Sequence, residues 1–215
     1  MPKEDSPISQ NDHLGQVASF LKEVPEGQKQ EVLDQVLQHK SFGNWIKKSD
    51  LGQVASFLKE VPEGQKQEVL DQVLQHKSFG NWIKKSDLGQ VASFLKEVPE
   101  GQKQEVLDQV LQHKSFGNWI KKSDLGQVAS FLEGVPEDQK QEVLDKVLGG
   151  GLFDDLVKKS HLGQVASFLK EVPKDQKQKV LDKVLEDRLL GDLVKKSYLG
   201  QVASFLKEVP EGKKQ

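Results

Sequence analysis

The sequence contains no cysteine. That excludes disulfides, thiolate zinc sites, iron–sulfur clusters and cysteine nucleophiles. No apolar run approaches the ~18 residues of a membrane-spanning helix. The opening residues, Met1-Pro2-Lys3-Glu4-Asp5-Ser6-Pro7-Ile8, lack the apolar core of a secretory signal, so no Sec-type leader is expected. Neither sign of charge dominates. The 31 Lys and Arg residues face 33 Asp and Glu residues, for a net charge of -2. That balance speaks against a strong nucleic-acid or anionic-membrane footprint. Apolar residues are sparse as well, at 35% of 215 residues against 30% charged. Such a content suits a shape with much surface per residue better than one thick core.

What the sequence does have is repetition. The string Leu-Gly-Gln-Val-Ala-Ser-Phe-Leu starts at Leu14, Leu51, Leu88, Leu125, Leu162 and Leu199, a step of 37 residues. A fixed period of this size marks a repeat array. The full repeats are 14–50, 51–87, 88–124, 125–161 and 162–198, and a partial repeat, 199–215, is expected either to cap the array or to be the start of a further unit in a longer one. Residues 1–13 are polar and read as a disordered tail. The first three repeats are identical, even at Lys and Gln positions where substitution costs only about 0.5 kcal/mol either way. Such agreement is expected of units copied recently, or built that way. The drift in repeats four and five points to natural duplication.

Within one repeat, Leu51, Val54, Ala55, Leu58 and Val61 share one face of a helix, widened by Phe57. Asp50 and Gln53 have the spacing of a capping box, which predicts a helix over about 51–60. In repeats five and six the cap residue is His161 or Tyr198, so Ser160 and Ser197 are expected to take over. Val61-Pro62 ends the helix, because the residue before proline is driven out of the α region. Pro62 then suits the first turn of a second helix, whose stripe is Val69, Leu70, Val73 and Leu74. Phe79, Trp82 and Ile83 form a third set. On one straight helix the two stripes would point about 160° apart. A break near Lys77-Ser78 lets both face the core, and Gly149-Gly150-Gly151 stands at that place in repeat four.

Two longer helices and one short helix per repeat, none able to bury its stripe alone, predict an all-α fold. The expected form is a right-handed α-solenoid of tandem 37-residue repeats. In period and helix count the chain resembles the α-solenoid class, in the outline of HEAT and armadillo repeats. That resemblance implies a scaffold or peptide-binding surface and brings no catalytic residue with it.

Residues with chemical potential recur once per repeat. His39, His76 and His113 would sit about 10 Å apart in stacked helices, too far to share a metal, and are expected at the surface. Trp45, Trp82 and Trp119 become Leu156 and Leu193 in repeats four and five. Packing tolerates that change and base stacking does not, so they are expected in the core. The pairs Lys47-Lys48, Lys84-Lys85, Lys121-Lys122, Lys158-Lys159 and Lys195-Lys196 could form a basic ladder, or complement helix C-termini. The identical repeats are neutral, repeat four carries -3 and repeat five +2, which weakens the ladder. Asp154-Asp155 and Glu186-Asp187 are isolated carboxylate pairs, and Ser56 has no histidine at a defined reach. Asp154, Arg188 and Tyr198 form no recognised set. The glycine run lacks the strand and lysine of a phosphate loop.

No catalytic, cofactor-binding or metal-binding residue is therefore assigned, and no cofactor is expected. The expectation is a non-enzymatic scaffold for protein–protein interaction, of the kind found among pathogen effectors and antigens. The alternative is a self-assembling structural protein, as a filament or in association with a cytoskeleton. Its partner would be another protein or itself, not nucleic acid and not a membrane it spans. It would reside in a cytoplasm, or reach a host cytosol without a Sec signal.

Overall fold

The computed structural model describes residues 13–149, 151–185 and 187–210. Most of the predicted tail, Gly150, Glu186 and the last five residues of the predicted cap lie outside them. Among the described residues the chain is all helical, with 16 α-helices and no strand. No helix there is long and apolar enough to cross a membrane. The chain divides into two compact parts, residues 1–106 and 107–215.

The first part contains α1 (Leu14–Glu23), α2 (Glu26–Gln38), α3 (Phe42–Lys48), α4 (Leu51–Glu60), α5 (Glu63–Gln75), α6 (Phe79–Lys85) and α7 (Leu88–Glu97), and α8 (Glu100–Gln112) begins in it. The second contains α9 (Phe116–Lys122), α10 (Leu125–Glu133), α11 (Lys140–Leu148), α12 (Leu152–Lys159), α13 (Leu162–Glu171), α14 (Lys174–Val184), α15 (Asp187–Lys195) and α16 (Leu199–Glu208). Before α11, residues Glu137–Gln139 form one turn of 3-10 helix.

Local chemistry explains the boundaries. The Asp50 carboxylate accepts from the Gln53 N–H at 2.8 Å, and Gln53 Oε1 accepts from the Asp50 N–H at 3.1 Å. This reciprocal pair satisfies two amides that a helix start leaves unpaired. At the far end Val61 is extended and its N–H reaches the Leu58 carbonyl. Pro62, with φ -54° and ψ 140°, sits at the cap of α5 and not inside its first turn. Its missing N–H costs nothing there, and its extended ψ turns the chain. The second and third helices are separate, as the opposed stripes require. α5 ends at Gln75, and Val69, Leu70, Val73, Phe79, Trp82 and Ile83 are all buried. In repeat four the turn is made by Gly149, extended, and Gly151, whose φ of +76° favours glycine.

The dominant packing is helix on helix. In the first part α4 packs between α1 and α7; in the second α13 packs between α10 and α16. Leu51, Val54, Phe57 and Leu58 are each 0% exposed. The Phe42 and Phe57 rings lie 6.0 Å apart, and the Phe79 and Trp82 rings meet edge to face at 6.3 Å. Such pairs add to the area they bury. Leu156 and Leu193, where Trp stands in the identical repeats, are each 1% exposed. The succession of packed helices is consistent with a helical repeat.

The expected cap by Ser160 is corrected. Ser160 Oγ donates to the Leu156 carbonyl and accepts from the Leu125 N–H at 2.9 Å, 35 residues back. Ser49 does the same for Leu14, and Ser197 for Leu162. Each serine caps the start of an earlier first-type helix, not the one that follows it. At His161 and Tyr198 the backbone N–H donates to Gln164 and Gln201, so half of the capping box survives without an acid.

Two substitutions test this packing. Trp82→Ala should cost about 3–5 kcal/mol in urea unfolding, because it empties a buried site. Gly151→Ala should cost about 1–2 kcal/mol in the same measurement, because its φ is left-handed.

Candidate functional site

The recurrent histidines are not simple surface groups. His39, His76 and His113 are half-buried, each at the corner between a second-type and a third-type helix. Nδ1 of each accepts a backbone N–H, from Ser41 at 3.1 Å, Ser78 at 3.2 Å and Ser115 at 3.2 Å. Each imidazole stacks on the tryptophan of the same corner, at 4.7, 5.9 and 5.7 Å between ring centres for Trp45, Trp82 and Trp119. The expectation of exposed rings fails because the helix break folds the imidazole back onto the indole. Burial holds the His76 pKa below 6.5, and the Lys77 and Lys47 charges act in the same direction. Among the described residues no cluster of three or more His, Asp or Glu could hold a metal.

The other candidates stay apart. Asp154 and Asp155 are exposed in the first turn of α12, with Asp155 3.7 Å from Lys158. Glu186 and the side chains of Asp187 and Arg188 fall outside the described residues. Ser56 Oγ donates to the Gly52 carbonyl of its own helix at 3.0 Å. Tyr198 is 80% exposed at the start of α16. Nothing here assembles a nucleophile, a base and an orienting group.

All ten lysines of the five Lys-Lys pairs are exposed. In the second part some of them bond to helix ends. Lys159 Nζ donates to the Lys121 carbonyl, and Lys196 Nζ to the Lys158 carbonyl at 2.6 Å. Each thus serves a carbonyl that closes an earlier third-type helix, where cations are favoured.

Sequence reasoning missed a second set of ties. Lys66 Nζ lies 3.2 Å from both Glu97 and Glu63, and Lys140 Nζ lies 3.1 Å from Glu171 and 3.0 Å from Glu137. Lys29 reaches Glu60 and Lys177 reaches Glu208, each at 3.4 Å. Burial pulls the Lys66 and Lys140 pKa values down, but the hydrogen bonds and charges of the paired glutamates outweigh it and raise them. Gln65 Nε2 donates to Asp34 at 2.8 Å, again across helices. The signal was a fixed 31-residue separation between groups of opposite charge or complementary hydrogen-bonding type.

Among the described residues, two kinds of exposed surface stand out. One is the recurrent lysine pair. The other is apolar and occurs at one place. Leu199 is 89% exposed, whereas its equivalents Leu51, Leu88 and Leu125 are at 0%. Leu206, two turns on in the same helix, is 43% exposed, and Val194 in α15 is 49% exposed.

His76 gives a pH prediction. A histidine whose folded pKa lies below its unfolded value binds more protons when unfolded, so stability is lost as pH falls through the unfolded value of about 6.5. The melting temperature should be level above about pH 7 and begin to fall as the pH drops below about 6.5. His76→Gln should flatten part of that fall. Compared with known proteins, the chain matches no family, no curated sequence and no solved structure.

Proposed function

We propose that the chain is a non-enzymatic repeat scaffold for protein–protein interaction, built as a right-handed α-solenoid of 37-residue repeats. One observation carries the reading. Exposed lysine pairs recur at or just after the end of every third-type helix, while most apolar side chains are spent on packing. Such an arrangement offers a partner the same charged contact several times over, and repeated weak contacts add through effective concentration. A protein with an acidic surface or segment is the fitting partner, steered by charge. Near-identical repeats of this kind suit an effector or antigen acting in a cytoplasm or a host cytosol.

The exposed Leu199 favours a second reading, a structural protein that associates with itself. Exposed apolar surface of that kind marks interaction sites.

The first reading is tested with an immobilised chain and its Lys84→Glu/Lys85→Glu/Lys121→Glu/Lys122→Glu variant. A partner captured by the unaltered chain should bind the variant at least about tenfold more weakly, with a steeper salt dependence for the unaltered chain. Equal binding by both would remove the lysine pairs from the interface.

A further inference from the structure

The decapeptide Leu-Gly-Gln-Val-Ala-Ser-Phe-Leu-Lys-Glu forms α1, α4, α7, α13 and α16 without a change. Differences in burial among these helices therefore report their neighbours and nothing else. In α13, which has α10 on one side and α16 on the other, Leu162, Val165, Ala166, Phe168 and Leu169 are all buried. In α16, Phe205 is buried, but Leu199, Ala203 and Leu206 are exposed. In α1 the pattern inverts. Leu14, Val17, Ala18 and Leu21 are buried, Gln16 and Glu23 are exposed, and Phe20 is only half-buried. The decapeptide thus has two faces. One, of Leu, Gly, Ala and Leu, meets the helix that follows. The other, of Gln, Phe and Glu, meets the helix that precedes. α16 displays the first face and α1 the second.

The contacts inside each part show how the faces fit. A Cβ added to Gly15 would lie 3.2 Å from Gln53 Cγ, and one added to Gly163 would lie 3.2 Å from Gln201 Cγ. The glycine of one helix receives the glutamine of the next. At Gly200 an added Cβ would meet nothing within 4 Å. Charge follows the same order. Lys29 pairs with Glu60, and Lys177 with Glu208. Glu23 holds the Glu60 position in α1.

We propose that the open face of α16 docks α1 of a second copy, so that chains join head to tail. The occupant is a copy of the helix that already covers α13 in this chain. The inference rests on the self-association reading and gives it an order. The contact is heterologous, with different surfaces on the two chains, so it can propagate. A one-helix contact belongs with weak interfaces, below about 1,200 Å².

The test is sedimentation velocity of the full chain over about 10 μM to 1 mM, the range of weak association. The mass should rise above 24.1 kDa with concentration. Leu199→Glu/Leu206→Glu and Phe20→Glu should each remain single, since each removes one of the two faces. Mixed in equal amounts, the two variants should form a dimer and nothing larger, because one intact face of each kind remains. If Phe20→Glu unfolds α1, the exposed Gln16 is changed instead, and Gln16→Trp should also remain single, because the larger side chain does not fit the space at Gly200. An unaltered chain that stays single at every concentration overturns both the inference and the self-association reading. Growth that Leu199→Glu/Leu206→Glu stops and the α1 variants do not affect overturns this inference alone, since α16 would then pair with another surface.

Discussion

Everything in this protein depends on a short helix being covered by another copy of itself. Ten residues fall below the about 12–15 that an isolated helix needs in water. The decapeptide helix is therefore held by packing, not by propensity. Its glycine lets the next helix approach until a glutamine side chain fills the space. Its leucines and phenylalanine divide between the two neighbours. The serine 35 residues later bonds to its first amide, and the lysine 31 residues before its closing glutamate pairs with that glutamate. The serine bond closes each repeat on itself, while the helix packing and the lysine–glutamate pair run to the next repeat, so stability resides largely in the contacts between repeats.

Much of this was legible in the sequence where the cause is local. The Asp50 and Gln53 spacing announced the capping box, and the two opposed stripes announced the break before Phe79. Trp82 read as core because Leu156 and Leu193 take the same place, and all three are buried. Pro62 was read one residue too far into its helix, because the sequence does not separate a cap from a first turn. What could not be read was any bond between residues far apart in the sequence or brought together by a turn. Ser160 looks like a cap for the helix beside it and serves one that begins 35 residues earlier. His76 looks like a surface residue until the break folds its ring onto Trp82. The glycine run pointed to a turn, but only the backbone shows that Gly151 bears the positive φ.

The same economy shapes the functional reading. Lys66, Lys140, Gln65 and Ser160 are polar, yet their polar groups are spent on holding helices together. Lys84, Lys85 and their equivalents remain exposed, and two of those equivalents, Lys159 and Lys196, also bond to helix ends. Packing accounts for the apolar side chains of each identical repeat and for several of its polar ones, while the lysine pairs and, in the last partial repeat, the open face of α16 are not spent on it.

The most direct measurement is amide hydrogen exchange in dilute solution, comparing residues 161–172 with 198–209. These segments differ only at His161 and Tyr198, so their intrinsic exchange rates are nearly the same. The account predicts much slower exchange in α13, covered on both sides, than in α16, covered on one. Equal protection of the two would contradict it, because the decapeptide would then be holding its helix without a second neighbour.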